Sequence, residues 1–363
     1  MIMQINFYRV RIPFLRPFTT SFGTEEYREA LLFRISHEGI DAYSESVTSV
    51  IPDYGYEDNT TAMHVIRDLA AKYIADLPDP ATFMERVKGI KGHNMAKAAL
   101  EMLLWDYHSK ASNQPLYRYL GKSRGYANVG ISIGMAKIED MEDQIEKALS
   151  LGYKRIKVKI ARGRENIVKE IRDSFPDIPL SVDANGDYGA ADIPRLKDLD
   201  RYDLEYIEQP FPGDDLIYHS KLKKEISTPI CLDESITSAD KALKAFDIGA
   251  ADVINIKPGR IGGFSESLKV AEIARENGGH VWVGGMLETG IGRAFNIAFA
   301  SLEMVDYPGD TSPNEKYFGK DIVLNPFKMK NGIIEPYHDA GIGVRIDEGA
   351  LIRYMVEAGT ISI

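Results

Sequence analysis

Polar and apolar positions alternate strictly in RIKVKI, where Arg155, Lys157 and Lys159 are separated by Ile156, Val158 and Ile160. In a β-strand successive side chains point to opposite faces, so this pattern gathers three cations on one face and three aliphatic groups on the other. Taken alone, such a face reads as the solvated side of an antiparallel sheet. The rest of the chain changes that reading. From about residue 128 short β-branched runs recur, each followed by a longer stretch with helical spacing of apolar residues. The runs are NVGISIGM at 128, RIKVKI at 155, PLSVDAN at 179, LEYIEQP at 204, PICLDES at 229, DVINIKPG at 252 and HVWVGG at 280, with a weaker MVDYPGD at 304. Successive starts differ by 27, 24, 25, 25, 23, 28 and 24 residues, the length of one strand, one helix and two short loops. A helix between each pair makes neighbouring strands parallel. Eight such units close into a barrel, whereas an open doubly wound sheet more often has five or six strands and a glycine fingerprint after the first, which this chain lacks. The pattern predicts an α/β chain with a (β/α) barrel over residues 126–330.

Residues 1–125 carry a different pattern. MQINFYRVRIPF, EALLFRISHEG and GIDAYSESVT read as an antiparallel meander with a turn at Glu38-Gly39. Two helical stretches follow, NTTAMHVIRDLAAKYIAD after an Asn cap and NMAKAALEMLLWDYHSKAS at Asn94. The Met and aromatic residues of ALEMLLWDYH are expected as core contacts. Residues 331–363 return to strand-like and turn-rich character and are expected to rejoin the first segment, completing an α+β capping domain.

Composition narrows the class. A chain of 363 residues exceeds the size of one core, consistent with a large domain and a smaller one. With 44 basic and 54 acidic residues the net charge is −10, which argues against non-specific binding to nucleic acid or to an anionic membrane. The longest apolar zone, VWVGGMLETGIGRAFNIAFASL, is broken by Glu288 and Arg293, so no transmembrane segment is expected. The N-terminus has no continuous apolar run of a signal peptide, and the single Cys231 fits a reducing compartment. These features point to a soluble cytoplasmic protein; they leave a homo-oligomer open.

Barrels carry their chemistry at the C-terminal ends of the strands. Those ends supply Lys159, Asp183, Glu208, Asp233 and Lys257, separated by 24, 25, 25 and 24 residues, so each holds an equivalent place in its repeat. One carboxylate at a strand end is commonly a loop cap. Three on consecutive strands repel one another unless a cation is bound. Oxygen-only ligation suits a hard ion such as Mg²⁺ with positions open for water and substrate. A structural calcium cage would also use carboxylates, but it would not call for lysines on both flanks. Lys157 lies roughly 6–7 Å from Lys159 on the same strand face and is expected to lower its pKa toward that of a general base. Arg155 is expected deep in the barrel, as a structural group. The arrangement suggests proton abstraction beside a carboxylate, with the metal holding the enediolate. A Schiff-base aldolase using either lysine, or a metal-binding protein without activity, remains as an alternative.

KVKI, VDANGDY, EQPF, CLDES and NIKPGRIGG, in this order and spacing, resemble the enolase superfamily in its muconate-lactonizing-enzyme branch. The resemblance extends over most of the chain and implies a (β/α)7β-type barrel. It implies that Asp183, Glu208 and Asp233 ligate Mg²⁺ (or Mn²⁺), that Lys159 and Lys257 are the acid/base pair, and that Lys157, Asn185 and Glu234 stand behind them. The mandelate-racemase branch places a His and an Asp where this chain has Lys257. His280, at the bottom of its strand, is expected to be structural.

GGMLETGIGR and PFTTSFGT are similar to segments of the o-succinylbenzoate synthase and N-acylamino acid racemase group. Backbone N–H groups at the glycine-rich turn, Gly284, Gly285, Met286 and Leu287, are expected to hold an anionic part of the substrate. Arg260, three residues after the second lysine, accompanies racemization of N-succinylamino acids in that group and is expected to contact the substrate. Phe18, Phe22, Ile51 and Tyr54 are expected as pocket walls. The implied function is metal-assisted removal of the α-proton of a small carboxylate, followed by loss of water or by racemization. Dipeptide epimerization and muconate cycloisomerization are the alternatives within the fold.

Overall fold

The computed structural model describes residues 3–20 and 23–363. Strands β1 (Gln4–Thr20), β2 (Gly23–His37) and β3 (Ile40–Ser46) form the meander. The turn between β2 and β3 places Glu38 at φ 49 and Gly39 at φ 79, the left-handed pair that a two-residue hairpin requires. Strand alternation then divides the sheet. Leu31, Phe33 and Ile35 pack with Leu100 and Leu103 of the helix Asn94–Ala111. Val10, Ile12, Ala30 and Leu32 face the other way and join the barrel core, together with Ala98 and Met102 of the same helix. A helix buried on both sides has no polar face to show, which explains why ALEMLLWDYH is apolar nearly all round. The first cap helix, Asn59–His64, is capped by Asp58, whose carboxylate accepts from Thr61 N at 2.7 Å. Asn59 is buried instead, accepting from Thr48 Oγ1 at 2.7 Å.

The barrel begins after β4 (Ala127–Asn128). Strands β5 (Ile131–Ile133), β6 (Ile156–Lys159), β7 (Leu180–Asp183), β8 (Ile207–Glu208), β9 (Ile230–Leu232), β10 (Val253–Ile256) and β11 (His280–Val283) form one parallel sheet in sequence order. The first run of the repeat is split between β4 and β5 at Gly130, where a Cβ would run into the Arg155 guanidinium. The weak eighth run is not a regular strand, yet it closes the ring. Tyr307 N and Asp310 N donate to Val281 O and Val283 O, while Gly309 N donates to Asn128 O and Gly130 N to Gly309 O, at 2.8–3.2 Å. Strand β12 (Ile333–Ile334) pairs with β4, and β13 (Met355–Ser362) runs antiparallel to β1, with Gln4 opposite Ser362.

The alternation of RIKVKI now has a structural cause. Ile156, Val158 and Ile160 belong to the main core, whereas the cations point into the barrel. Arg155 lies 4.7 Å from the Trp282 ring centroid and pairs with Asp310; Lys157 is also 4.7 Å from that ring. The cap is fixed to the barrel through two buried carboxylates at helix N-termini. Glu101 accepts from Phe264 N and Ser265 N, at the start of the helix Phe264–Glu276, at 2.9 and 2.8 Å. Glu45 accepts from Thr289 N and Gly292 N, at the start of the helix Gly290–Ala300, at 3.0 and 3.1 Å.

Candidate active site

Lys159, Asp183 and Glu208 end three adjacent strands in matched register, Lys159 beside Asp183 and Asp183 beside Glu208. Asp233 follows the end of β9, and Lys257 the end of β10. All three carboxylates are buried. Each faces cations. Lys159 Nζ donates to Asp183 Oδ2 at 2.6 Å and also to Asn185 Oδ1, while Lys257 Nζ donates to Asp233 Oδ2 at 2.8 Å. Lys157 Nζ lies 2.7 Å from Glu208, 3.0 Å from Asp310 and 3.2 Å from Asp183. Asn185, at φ 45, turns the chain so that its Nδ2 reaches Glu234 Oε1 at 3.0 Å.

Charge and burial compete at every one of these groups. Burial alone would lower the Lys157 ammonium, but Asp310, Glu208 and Asp183 outweigh it and hold the group well above its ordinary value. Burial opposes ionisation of Asp183 too, and Lys159 and Lys157 pull its carboxyl far below the usual range. For Lys257, burial is again the largest single effect and lowers the pKa; Tyr54, Glu234 and Glu208 together raise it on balance. The Glu234 carboxyl is pushed up by burial. Three carboxylates surround Lys157 and balance its charge where it stands.

A cavity of about 680 Å³ opens above this rim, the volume of a small-molecule site. Lys157, Lys159, Asp183, Asn185 and Lys257 line it from the barrel, and Arg28, Ser49, Ile51 and Tyr54 from the cap. Gly285, Met286 and Leu287 also line it. Glu208 and Asp233 are fully covered and do not appear in the wall. Phe22 lies outside the described residues, as does the side chain of Phe18.

Arg260 and the glycine-rich turn are placed differently from what the sequence alone implies. Arg260 does not reach the cavity. Residues Pro258–Ile261 form a helical turn that carries its side chain behind Lys257, where it is buried and pairs with Asp233, donating to Ile236 O at 2.8 Å and to Tyr54 OH at 3.0 Å. Two of the four amides of the glycine-rich turn are already engaged. Gly284 N donates to Ile256 O at 2.9 Å and Met286 N to Glu288 Oε1 at 2.7 Å. Gly284 instead makes room, since a Cβ there would stand 2.8 Å from Lys257 Cε and collide with Asn255 Oδ1. His280 sits at the opposite end of its strand beside Asp306.

Sequence reading missed Asp310, which lies between Arg155 and Lys157 and whose carboxyl is held far below its usual range by those cations against the effect of burial. Asp310 closes the weak eighth run, whose irregular pattern left it unmarked. Among the described residues, no three His, Cys, Asp or Glu side chains converge to hold a metal, since each carboxylate is turned to a cation. The donor chemistry nevertheless suits a hard divalent ion. Three buried carboxylates occupy neighbouring strand ends, and Glu234 Oε2 and Asn255 Oδ1 are buried acceptors without a hydrogen-bond partner among the described residues.

A strand-ring barrel with lysines flanking carboxylates, closed by an α+β cap, defines an enolase-type enzyme. The mandelate racemase / muconate lactonizing enzyme N-terminal domain matches residues 3–121 and the enolase C-terminal domain-like family matches residues 140–350, so the chain belongs to the mandelate racemase / muconate lactonizing enzyme family of the enolase superfamily. It is 41% identical over 343 residues to the o-succinylbenzoate synthase of Geobacillus kaustophilus, covering 93% of this chain and 92% of that one. To the N-succinylamino acid racemase of Thermus thermophilus it is 41% identical over 351 residues, 95% of each. The solved structure of an enolase-superfamily member from Listeria innocua superposes with a TM-score of 0.96 at 35% identity, covering 99% of both chains. Members of this superfamily bind a divalent metal, typically Mg²⁺. No helix among the described residues is long and apolar enough to cross a membrane.

Proposed function

We propose that this enzyme removes the α-proton of a small carboxylate substrate with Mg²⁺ bound by Asp183, Glu208 and Asp233, acting as an o-succinylbenzoate synthase, an N-succinylamino acid racemase, or both. The observation that carries the reading is the placement of Lys159 and Lys257, which come from strands on either side of the three carboxylates and line the same cavity. Bound Mg²⁺ would polarise the substrate carboxylate and offset the negative charge that grows as the proton leaves. To hold the ion, Asp183, Glu208 and Asp233 would exchange their lysine partners for it, which would leave Lys159 and Lys257 free to face the substrate.

In the elimination, Lys159 Nζ takes the α-proton and returns it to the departing hydroxyl on the same face, so water leaves and no other proton source is needed. Lys257 is held in its charged form by its surroundings, which suits electrostatic stabilisation of the enediolate from the opposite side. In racemization one lysine removes the proton and the other delivers one to the far face. Asn185 orients Lys159, and Arg260 fixes Asp233 and, through Tyr54, the surroundings of Lys257. A charged Lys257 is a poor nucleophile for a Schiff base. We place the reaction in the cytoplasm, in keeping with a single buried cysteine.

The test is turnover of the hydroxylated cyclohexadiene dicarboxylate precursor of o-succinylbenzoate and of N-succinylamino acids, with and without EDTA. Lys159→Ala is expected to abolish both reactions, and Lys257→Ala to abolish racemization. Absence of turnover of either compound by the Mg²⁺-loaded enzyme would overturn the substrate assignment.

A further inference from the structure

Five cations line the cavity: Arg28, Lys157, Lys159, Lys257 and Arg293. Four are paired with carboxylates: Lys157 with Glu208, Lys159 with Asp183, Lys257 with Asp233 and Arg293 with Glu288. Arg28 is different. It is 2% exposed, its Nη1 meets Ser49 Oγ only at 3.5 Å, and its Nε and Nη2 are buried without a hydrogen-bond partner among the described residues. Burial raises the Glu25 and Glu45 carboxyls and the Arg28 charge pulls both back, so Arg28 acts on them through space without bonding either.

The position follows from the sheet. Arg28 lies opposite Ile12 and shares its face with Ala30 and Leu32, the face of β2 that packs against the barrel. An aliphatic side chain would satisfy that packing; a guanidinium there with unfilled donors is unfavourable unless something completes it. The two unfilled donors are adjacent. Nε and Nη2 form one edge of the guanidinium plane, the edge that takes both oxygens of a carboxylate. Arg34 of the same strand uses those same two atoms on Asp41, at 3.3 and 2.8 Å.

We propose that Arg28 is the anchor for a second carboxylate of the substrate, remote from the carbon that loses its proton. This rests on the function proposed above, and it places the second carboxylate of those dianionic substrates at the cap, across the cavity from the barrel lysines. It also assigns recognition of the distal group to a side chain of the capping sheet, leaving the backbone of the glycine-rich turn to shape the wall.

The experiment compares two substrates of the same shape, an N-succinylamino acid and its N-(3-carbamoylpropanoyl) counterpart, which replaces the distal carboxylate by a neutral amide. Exchange of the α-proton in D2O, followed by NMR, gives kcat/KM for each. In Arg28→Met the preference for the succinyl compound is expected to fall about 10- to 100-fold, the equivalent of one charge-assisted carboxylate contact, and chiefly through KM. Arg28→Lys, with a point charge and no fork, is expected to fall between the two. An unchanged preference in Arg28→Met would overturn the assignment and leave Arg28 as a support of the cap. Should Arg28→Met fail to fold, Arg28→Gln and Arg28→Lys are judged by the same ratio. If the wild type exchanges neither compound, the function above has failed, and the anchor is judged by binding alone. Greater thermal protection by succinate than by succinamate, lost in Arg28→Gln, then upholds it, and equal protection overturns it.

Discussion

The hydroxyl of Tyr54, carried by the cap, lies 3.1 Å from the Nζ of Lys257, carried by the barrel, and the ammonium sits 4.5 Å from the centroid of the same ring. That hydroxyl also donates to Asp233 Oδ1 at 3.1 Å and accepts from Arg260 Nη1 at 3.0 Å. One phenol thus ties the cap to the lysine, the carboxylate and the arginine behind it. Tyr54→Phe keeps the wall and the ring face and removes only these bonds. Its kcat is expected to fall about 10-fold, the effect of one charge-assisted hydrogen bond of about 1.5 kcal/mol. Steady-state rates check this; a change below about twofold would leave Tyr54 as a wall alone, given that tenfold is about 1.4 kcal/mol.

Asp310 balances two buried cations, Arg155 and Lys157. Asp310→Asn leaves both without that charge, and removal of one partner from a buried ion pair costs about 3–5 kcal/mol. Arg155 keeps its contact with Trp282, and Lys157 keeps Glu208 and Asp183, so the lower end of that range is expected. Urea unfolding should show the loss, with an unchanged m-value. Lys159→Ala is the contrast: its side chain is 24% exposed at the cavity and Asp183 keeps Lys157, so activity should disappear while the loss of stability stays below that of Asp310→Asn.

The two halves of the site differ in how they can be read from sequence. Lys159, Asp183, Glu208, Asp233 and Lys257 were legible because a repeat of strand and helix fixes where each strand ends, and equal spacing then means equal height in the barrel. Asp310 belongs to the same ring, but its run has a proline and a glycine beside it and closes the sheet by scattered backbone bonds, so no strand pattern marks it. Arg260 was misplaced because position along the chain does not tell which way one turn of helix swings a side chain. Arg28 has no local mark at all. Its meaning depends on which face of the cap sheet packs on the barrel, and that is decided by docking.

The joint between cap and barrel should depend on pH through Glu45. Burial is the main cause that pushes its carboxyl from 4.5 up to about 7, against the opposing pull of Arg28 and the Thr289 hydrogen bonds. An acid whose pKa rises on folding contributes stability that is fully present below the unfolded value, near 4.5, and is lost as pH climbs through about 7. Wild type should lose at most about 3 kcal/mol through this group between pH 5 and 8. Glu45→Gln cannot titrate, and its carbonyl can take over the bonds that Oε2 accepts from Thr289 N, Thr289 Oγ1 and Gly292 N. The stability of the variant relative to wild type should therefore rise across that window, which urea unfolding at several pH values measures.

Metal binding should register in stability as well as in activity. Without the ion, Lys157, Lys159, Lys257 and Arg260 balance the charge of Asp183, Glu208 and Asp233, so the apoprotein has no reason to unfold. If Mg²⁺ binds the folded form alone, it should add about 2.7 kcal/mol at 100 times its Kd. With Asp183, Glu208 and Asp233 as the proposed ligands, the ion would have to displace ammonium groups, so its apparent affinity should fall in variants that strengthen those pairs and rise in Lys159→Ala, which removes a competitor for Asp183. Melting curves in EDTA and in a Mg²⁺ series give both quantities. Tighter Mg²⁺ binding by inactive Lys159→Ala would show that lysine and metal compete for one carboxylate; unchanged binding would count against Asp183 as a ligand.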